Sequence, residues 1–209
     1  MLERLPDLVG HVLRDQRAGL EKCTFTLVDL RQGTGKVQVT SVAFADHGAI
    51  PSRYTADGAG LSPPLAWLSV PDVAASVLLI VEDADAPLPN PLVHAIVVDL
   101  PTGGGSLAEG AMRSPDHDGS PLDAGRNSFL QAAWLPPDPP PGHGLHRYAF
   151  QIFALGAGAS FSATPGRDEV HRVLQAHALA SGCLIGTYER PDTSIPAATP
   201  TVDVVQAPA

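Results

Sequence analysis

Residues 76–100, SVLLIVEDADAPLPNPLVHAIVVDL, decide how the chain folds. Ser76–Glu82 and Ala95–Leu100 are almost unbroken apolar runs, the pattern of short strands covered on both faces. The stretch between them is rich in Asp, Pro and Asn, which punctuate regular structure rather than continue it. Outward from this pair, Thr24–Leu30, Lys36–Ala45 and Arg147–Leu155 are further β-branched or aromatic segments bounded by Gly, Pro, Asp and Ser. The 209 residues include 20 glycines and 21 prolines, well above the roughly 12% usual for the pair, so turns should outnumber long helices. A mainly β domain follows.

The sequence divides into three parts. Residues 1–22 place Leu5, Leu8, Val9, Val12 and Leu13 on one helical stripe, weakened by Gly10. This spacing predicts a helical arm packed on its own domain or on a second copy. Residues 23–190 form the folded domain. Its one strong helix is predicted to be capped by Thr164, opened by Pro165, faced by Val170, Val173 and Leu174, and stopped by Gly182. Cys183–Arg190 then reads as a final strand. Residues 191–209, rich in Pro, Ala and Thr, have little to bury and are expected to form a flexible tail.

A formal net charge of −9 without any basic stripe argues against nucleic acid and anionic membranes as partners. No stretch approaches the ~20 apolar residues of a membrane span. The opening Met-Leu-Glu-Arg-Leu-Pro-Asp lacks the apolar run of a signal peptide. Two cysteines, Cys23 and Cys183, make no disulfide framework and read as buried thiols. The expectation is a cytoplasmic protein.

Polar residues gather at strand ends. After the first apolar run come Asp83 and Asp85, which share a face if the strand geometry persists. His94 stands directly before the second run. His146 and Tyr148 open the segment RYAFQIFAL on one face with Phe150 and Ile152, and Arg147 should point the other way. Each of these features alone has a plain structural use, in a turn or a satisfied core contact. Two aspartates, two histidines and a tyrosine at neighbouring strand ends suggest a pocket.

In these motifs the sequence resembles the phosphatidylethanolamine-binding family, in its bacterial Raf-kinase-inhibitor-like branch. The resemblance runs over roughly residues 40–190. It is carried by Tyr54-Thr55-Ala56-Asp57-Gly58, Ser62-Pro63-Pro64-Leu65-Ala66-Trp67, Asp83-Ala84-Asp85-Ala86-Pro87, Asn127-Ser128-Phe129, Gly144-Leu145-His146-Arg147-Tyr148 and Gly186-Thr187-Tyr188. It implies a β-sandwich with a few flanking helices and a small cavity for phosphate-like or carboxylate anions, including phospholipid head groups. The cavity residues it implies are Asp83, Asp85, Pro87, His94, His146 and Tyr148. It also implies possible contact with a kinase or protease, and a homodimer. Aromatic residues commonly flank the family's histidine, whereas Leu92, Val93 and Ala95 surround His94 here.

An anion beside two carboxylates is consistent if those carboxylates face the histidines, orient them and leave an imidazolium N–H for the ligand. Tyr148 and loop amides would complete the cradle. Three functions stay open: a non-catalytic anion-binding protein, a protein-interaction inhibitor, and a metal- or histidine-dependent hydrolase. No H-x-x-x-H, H-E-x-x-H or G-x-S-x-G motif supports the last, so no catalytic residue, metal or cofactor is assigned.

Overall fold

The computed structural model describes residues 7–28, 30, 35–112 and 122–190. The flexible tail expected at 191–209 lies outside them, as do the side chains of Leu5, Leu8 and Val9. In chain order the helices are α1 (Asp7–Leu13), α2 (Thr24–Leu27) and α3 (Arg167–His177). The strands are β1 (Gly35–Lys36), β2 (Gln38–Thr40), β3 (Gly48–Ala49), β4 (Leu65–Leu68), β5 (Ser76–Asp83), β6 (Leu92–Leu100), β7 (Gly105–Leu107), β8 (Asp123–Gly125), β9 (His146–Leu155) and β10 (Ala178–Tyr188).

β5, β6 and β9 are the long apolar segments of the sequence, and they occupy the middle of a large sheet ordered β1-β10-β9-β5-β6-β8, with β3 also on β10. A smaller sheet, β2-β4-β7, packs over one face. Alternation sorts the side chains of the central strands. Val77, Leu79 and Val81 of β5 and Phe150, Ile152 and Ala154 of β9 meet Val39, Leu65 and Trp67 of the small sheet. Leu78, Ile80 and Phe153 point the other way, beneath Val170 and Leu174 of α3. The protein is mainly β, as the apolar runs require.

Four local expectations are corrected. Thr24–Leu30 is no strand, because Thr24–Leu27 makes a helical turn. The amides that open this turn have no intrahelical acceptor. Thr24 N–H donates to the buried carboxylate of Glu82 (2.7 Å) and Phe25 N–H to Gln151 Oε1 (2.7 Å). Lys36–Ala45 is not one strand either: the chain changes sheets at Val37, β1 pairing with β10 and β2 with β4. α3 begins after Gly166 rather than Thr164 and ends at His177, so Gly182 lies inside β10. A Cβ at Gly182 would stand 2.0 Å from Val37 O, so this glycine permits a close strand crossing and stops no helix. Finally, Val12 is 73% exposed while Gly10 is buried. The arm docks through its glycine face, where a Cβ would lie 1.9 Å from Pro141 O.

Candidate functional site

The core between the sheets ends in polar side chains for a reason of parity. Residues 77, 79 and 81 of β5 face inward, and the next inward position is Asp83; on β9 the inward series 154, 152, 150 and 148 runs back to His146. His94 reaches the same place by a different route. Val81 pairs with Ala95 and Glu82 with Val93, so His94 is an extra residue in β6, a bulge of the kind that re-aims a side chain. Its ring packs edge-on against Tyr148, with centroids 5.2 Å apart, and tilts against Trp134 at 6.0 Å. Trp134 thus supplies an aromatic wall that the flanking residues of His94 do not.

The ionisable groups are almost fully enclosed, with Asp83 5%, His94 2%, His146 1% and Tyr148 0% exposed. Asp83 Oδ2 accepts from His146 Nδ1 (2.7 Å) and Asp83 Oδ1 from the Asp85 amide (2.8 Å). His94 Nδ1 donates to Leu135 O (2.6 Å). Burial pushes the His94 ring below the usual imidazole range, against the pull of Asp83. Burial, reinforced by Asp83, raises the Tyr148 hydroxyl well above its ordinary value, so it stays an O–H donor.

Among the described residues four buried side-chain polar atoms lack a hydrogen-bond partner, and three of them, His94 Nε2, Tyr148 Oη and Trp134 Nε1, belong to this cluster of rings. Leaving such a group unsatisfied costs about 1–3 kcal/mol, so their concentration marks a place built to meet something polar. A more open groove of about 430 Å³, lined by Leu88, Pro91, Arg126 and Arg167 among others, holds none of the six predicted residues and none of these atoms. The rings are therefore the candidate site.

Of the six residues, Asp83, His94, His146 and Tyr148 converge. Asp85 departs from the expected arrangement: β5 ends at Asp83, and the turn carries Asp85 away from the histidines. Its carboxylate accepts from Arg147 N, Nε and Nη2 (2.8, 2.7 and 2.7 Å) and pairs with Arg17 at 3.1 Å. Burial alone would raise its pKa, but these guanidinium hydrogen bonds outweigh burial and hold it below the usual carboxylate range. Arg147 does point away from the inter-sheet face, as its parity predicts. Pro87 is half-buried in the same turn.

Three contributors were not visible in the sequence motifs. His143 Nδ1 lies 2.7 Å from His146 Nε2, and Arg17 reaches the site loops from the arm. Asp138 acts electrostatically on both His94 and Tyr148 and is held by Arg190 at 2.7 Å. His143 had a weak signal, its spacing of three from His146, while Arg17 and Asp138 had none. No three His, Cys, Asp or Glu side chains among the described residues form a group that could hold a metal ion.

The profile of the phosphatidylethanolamine-binding protein family matches residues 40–189, which include β3 to β10 and every residue of the ring cluster. The chain belongs to this family. As a member it is a binding-type protein. It is 36% identical over 160 residues to a UPF0098 protein of Aquifex aeolicus, covering 76% of this chain and 91% of that one. It is 40% identical over 157 residues to a UPF0098 protein of Mycobacterium tuberculosis, covering 75% and 72%. Among solved structures, a phosphatidylethanolamine-binding protein homolog from Chlamydia trachomatis superposes with a TM-score of 0.65 at 32% identity, covering 75% of this chain and 99% of that one. YbcL of E. coli gives 0.67 at 26%, covering 74% and 99%. The arm precedes the matched residues of this phosphatidylethanolamine-binding family member. No helix among its described residues is long and apolar enough to cross a membrane.

Proposed function

We propose that the protein binds a small oxyanion, a phosphate, phosphomonoester or carboxylate, in the ring cluster, and does so without catalysis. The observation that carries this reading is the pairing of two buried unpartnered groups, His94 Nε2 and Tyr148 Oη, in rings 5.2 Å apart. Tyr148 offers an O–H to an anion oxygen. Because His94 Nδ1–H is committed to Leu135 O, a neutral His94 presents only a lone pair at Nε2. The ligand must then bring an acidic O–H, as monohydrogen or dihydrogen phosphate does, or His94 must take up a proton on binding. Monohydrogen phosphate can donate its own O–H without net proton uptake, whereas a carboxylate or a fully ionised phosphomonoester has none to give, so its binding takes up a proton.

Inorganic phosphate at a hundredfold excess over Kd should therefore raise Tm by roughly 5–10 °C, the equivalent of about 2.7 kcal/mol. Affinity for a phosphomonoester such as phosphoethanolamine should strengthen as pH falls from about 8 to 6, by up to about tenfold per pH unit for one linked proton. Isothermal titration at several pH values reads both. Phosphomonoester affinity that is flat with pH, or no binding of phosphate at any pH, counts against the site. A second reading, contact with a protein partner, draws on Phe129 and Leu130, 58% and 76% exposed on a turn braced by Asn127 Oδ1.

A further inference from the structure

The arm grips two loops that flank the candidate site. Ala18 N–H and Gly19 N–H donate to Ala86 O (3.1 Å) and Ala84 O (2.7 Å) in the turn after β5. Arg17 donates to Leu145 O (2.7 Å) and His143 O (2.9 Å) in the loop before β9, and pairs with Asp85. At the centre of this grip a chain of polar contacts runs from the site into the arm. Asp83 Oδ2 meets His146 Nδ1 at 2.7 Å, His146 Nε2 meets His143 Nδ1 at 2.7 Å, and His143 Nε2 meets Leu13 O at 2.8 Å.

Each of the three contacts needs one hydrogen, and Leu13 O can only accept. An aspartate and two neutral imidazoles supply two. The closed chain therefore holds one proton more than that, and without it one contact must open. Asp83 and His146 are fixed by their strands, so the contact free to open is the one to Leu13.

We propose that the N-terminal arm is a proton-held latch on the two site loops, closed while the Asp83–His146–His143 chain carries its extra proton and released when that proton leaves. Among the described residues, the charged or titratable groups that act on the His143–His146 pair include Arg17 from the arm and His94 and Tyr148 on the His146 side, while Asp85 and Arg147 neutralise each other. Burial, then His146 and Arg17, push the His143 ring below the usual imidazole range, so the extra proton is held by the closed hydrogen-bond geometry and not by this ring alone. The sign follows. The docked arm binds a proton that the released arm need not hold, so docking weakens as pH rises.

As a gate for ligand, the latch rests on the oxyanion reading, since the loops it holds adjoin Asp83 and His146 beside the ring cluster. As a conformational switch it does not, and ligand-free protein tests it. Hydrogen exchange of the Ala18 and Gly19 amides, corrected for intrinsic rates, should lose about tenfold in protection between roughly pH 5.5 and 8.5, the worth of one charge-assisted hydrogen bond. Amides of β9 should show no such loss. Gly10→Ala, whose methyl collides with Pro141 O, should leave Ala18 and Gly19 poorly protected at every pH while β9 stays protected. His143→Phe should abolish the pH dependence. Flat protection in the wild-type protein overturns the latch, as does an undiminished pH dependence in His143→Phe. If His143→Phe does not fold, the wild-type profile and Gly10→Ala decide alone. Failure here leaves phosphate binding untouched, and absence of phosphate binding leaves the exchange profile untouched, so the two readings fail separately.

Discussion

Asp85 and His94 are both buried ionisable residues, yet they depend on pH in different ways. Asp85 is 1% exposed and lies under Arg147 and Arg17, which are 35% and 28% exposed. Its lowered carboxyl pKa contributes stability that is fully present above the ordinary aspartate range and is lost in acid as pH falls through the folded value. Asp85→Asn should cost about 2–3 kcal/mol in denaturant unfolding, less than a fully enclosed pair would because both arginines keep some water. It should leave phosphate affinity within about twofold, since no histidine depends on it. A large loss of affinity with unchanged stability would return Asp85 to the ligand site. His94, by contrast, is held neutral by burial. The unfolded chain takes up a proton there below about pH 6.5, so the ligand-free protein should lose stability as pH falls through that range.

At the scale of elements, legibility followed periodicity. β5, β6 and β9 announce themselves as apolar runs, and parity along β5 and β9 is enough to place Asp83, His146 and Tyr148 on one face. What the runs cannot show is a bulge. The extra residue in β6 that turns His94 toward Tyr148 is invisible without the register against β5. Likewise, Thr24–Leu30 has strand-forming side chains, but the acceptors that hold it helical, Glu82 and Gln151, come from distant strands. Gly182 is the sharpest case. A glycine after a helical stripe reads as a stop, whereas here it lets Val37 O pass 2.0 Å from the Cβ position. Gly182→Ala should therefore push β1 from β10 and lower stability by at least about 2 kcal/mol, where a true helix-stop glycine would lose about 1 kcal/mol or less. Thermal unfolding separates the two, because a domain this size shifts by about 2–4 °C per kcal/mol.

In the whole molecule, two sheets bury an apolar core that ends at the candidate site, and the arm lies outside the family region while clasping the loops beside it. The arm was legible as a helix but not as a clasp, because its contacts are made by backbone and by Arg17 rather than by the apolar stripe. His143 joined the site only when the loop before β9 brought it to His146. Unpartnered buried groups are retained at a cost in stability, and for Tyr148 that cost can be measured. In ligand-free protein, Tyr148→Phe removes a hydroxyl that bonds to nothing and keeps the ring against His94 and His146. It should leave Tm unchanged or raise it, by up to about 1–3 kcal/mol in stability. The same variant should no longer gain stability from phosphate, as the wild-type protein is expected to. Thermal unfolding of the two proteins with and without phosphate at about pH 6, where an imidazole can take up its proton, is the decisive measurement. A variant that is as stable as wild type or more so, yet blind to phosphate, is the expected result. A variant that still responds fully to phosphate, or a wild-type protein that never does, contradicts an oxyanion site at these rings.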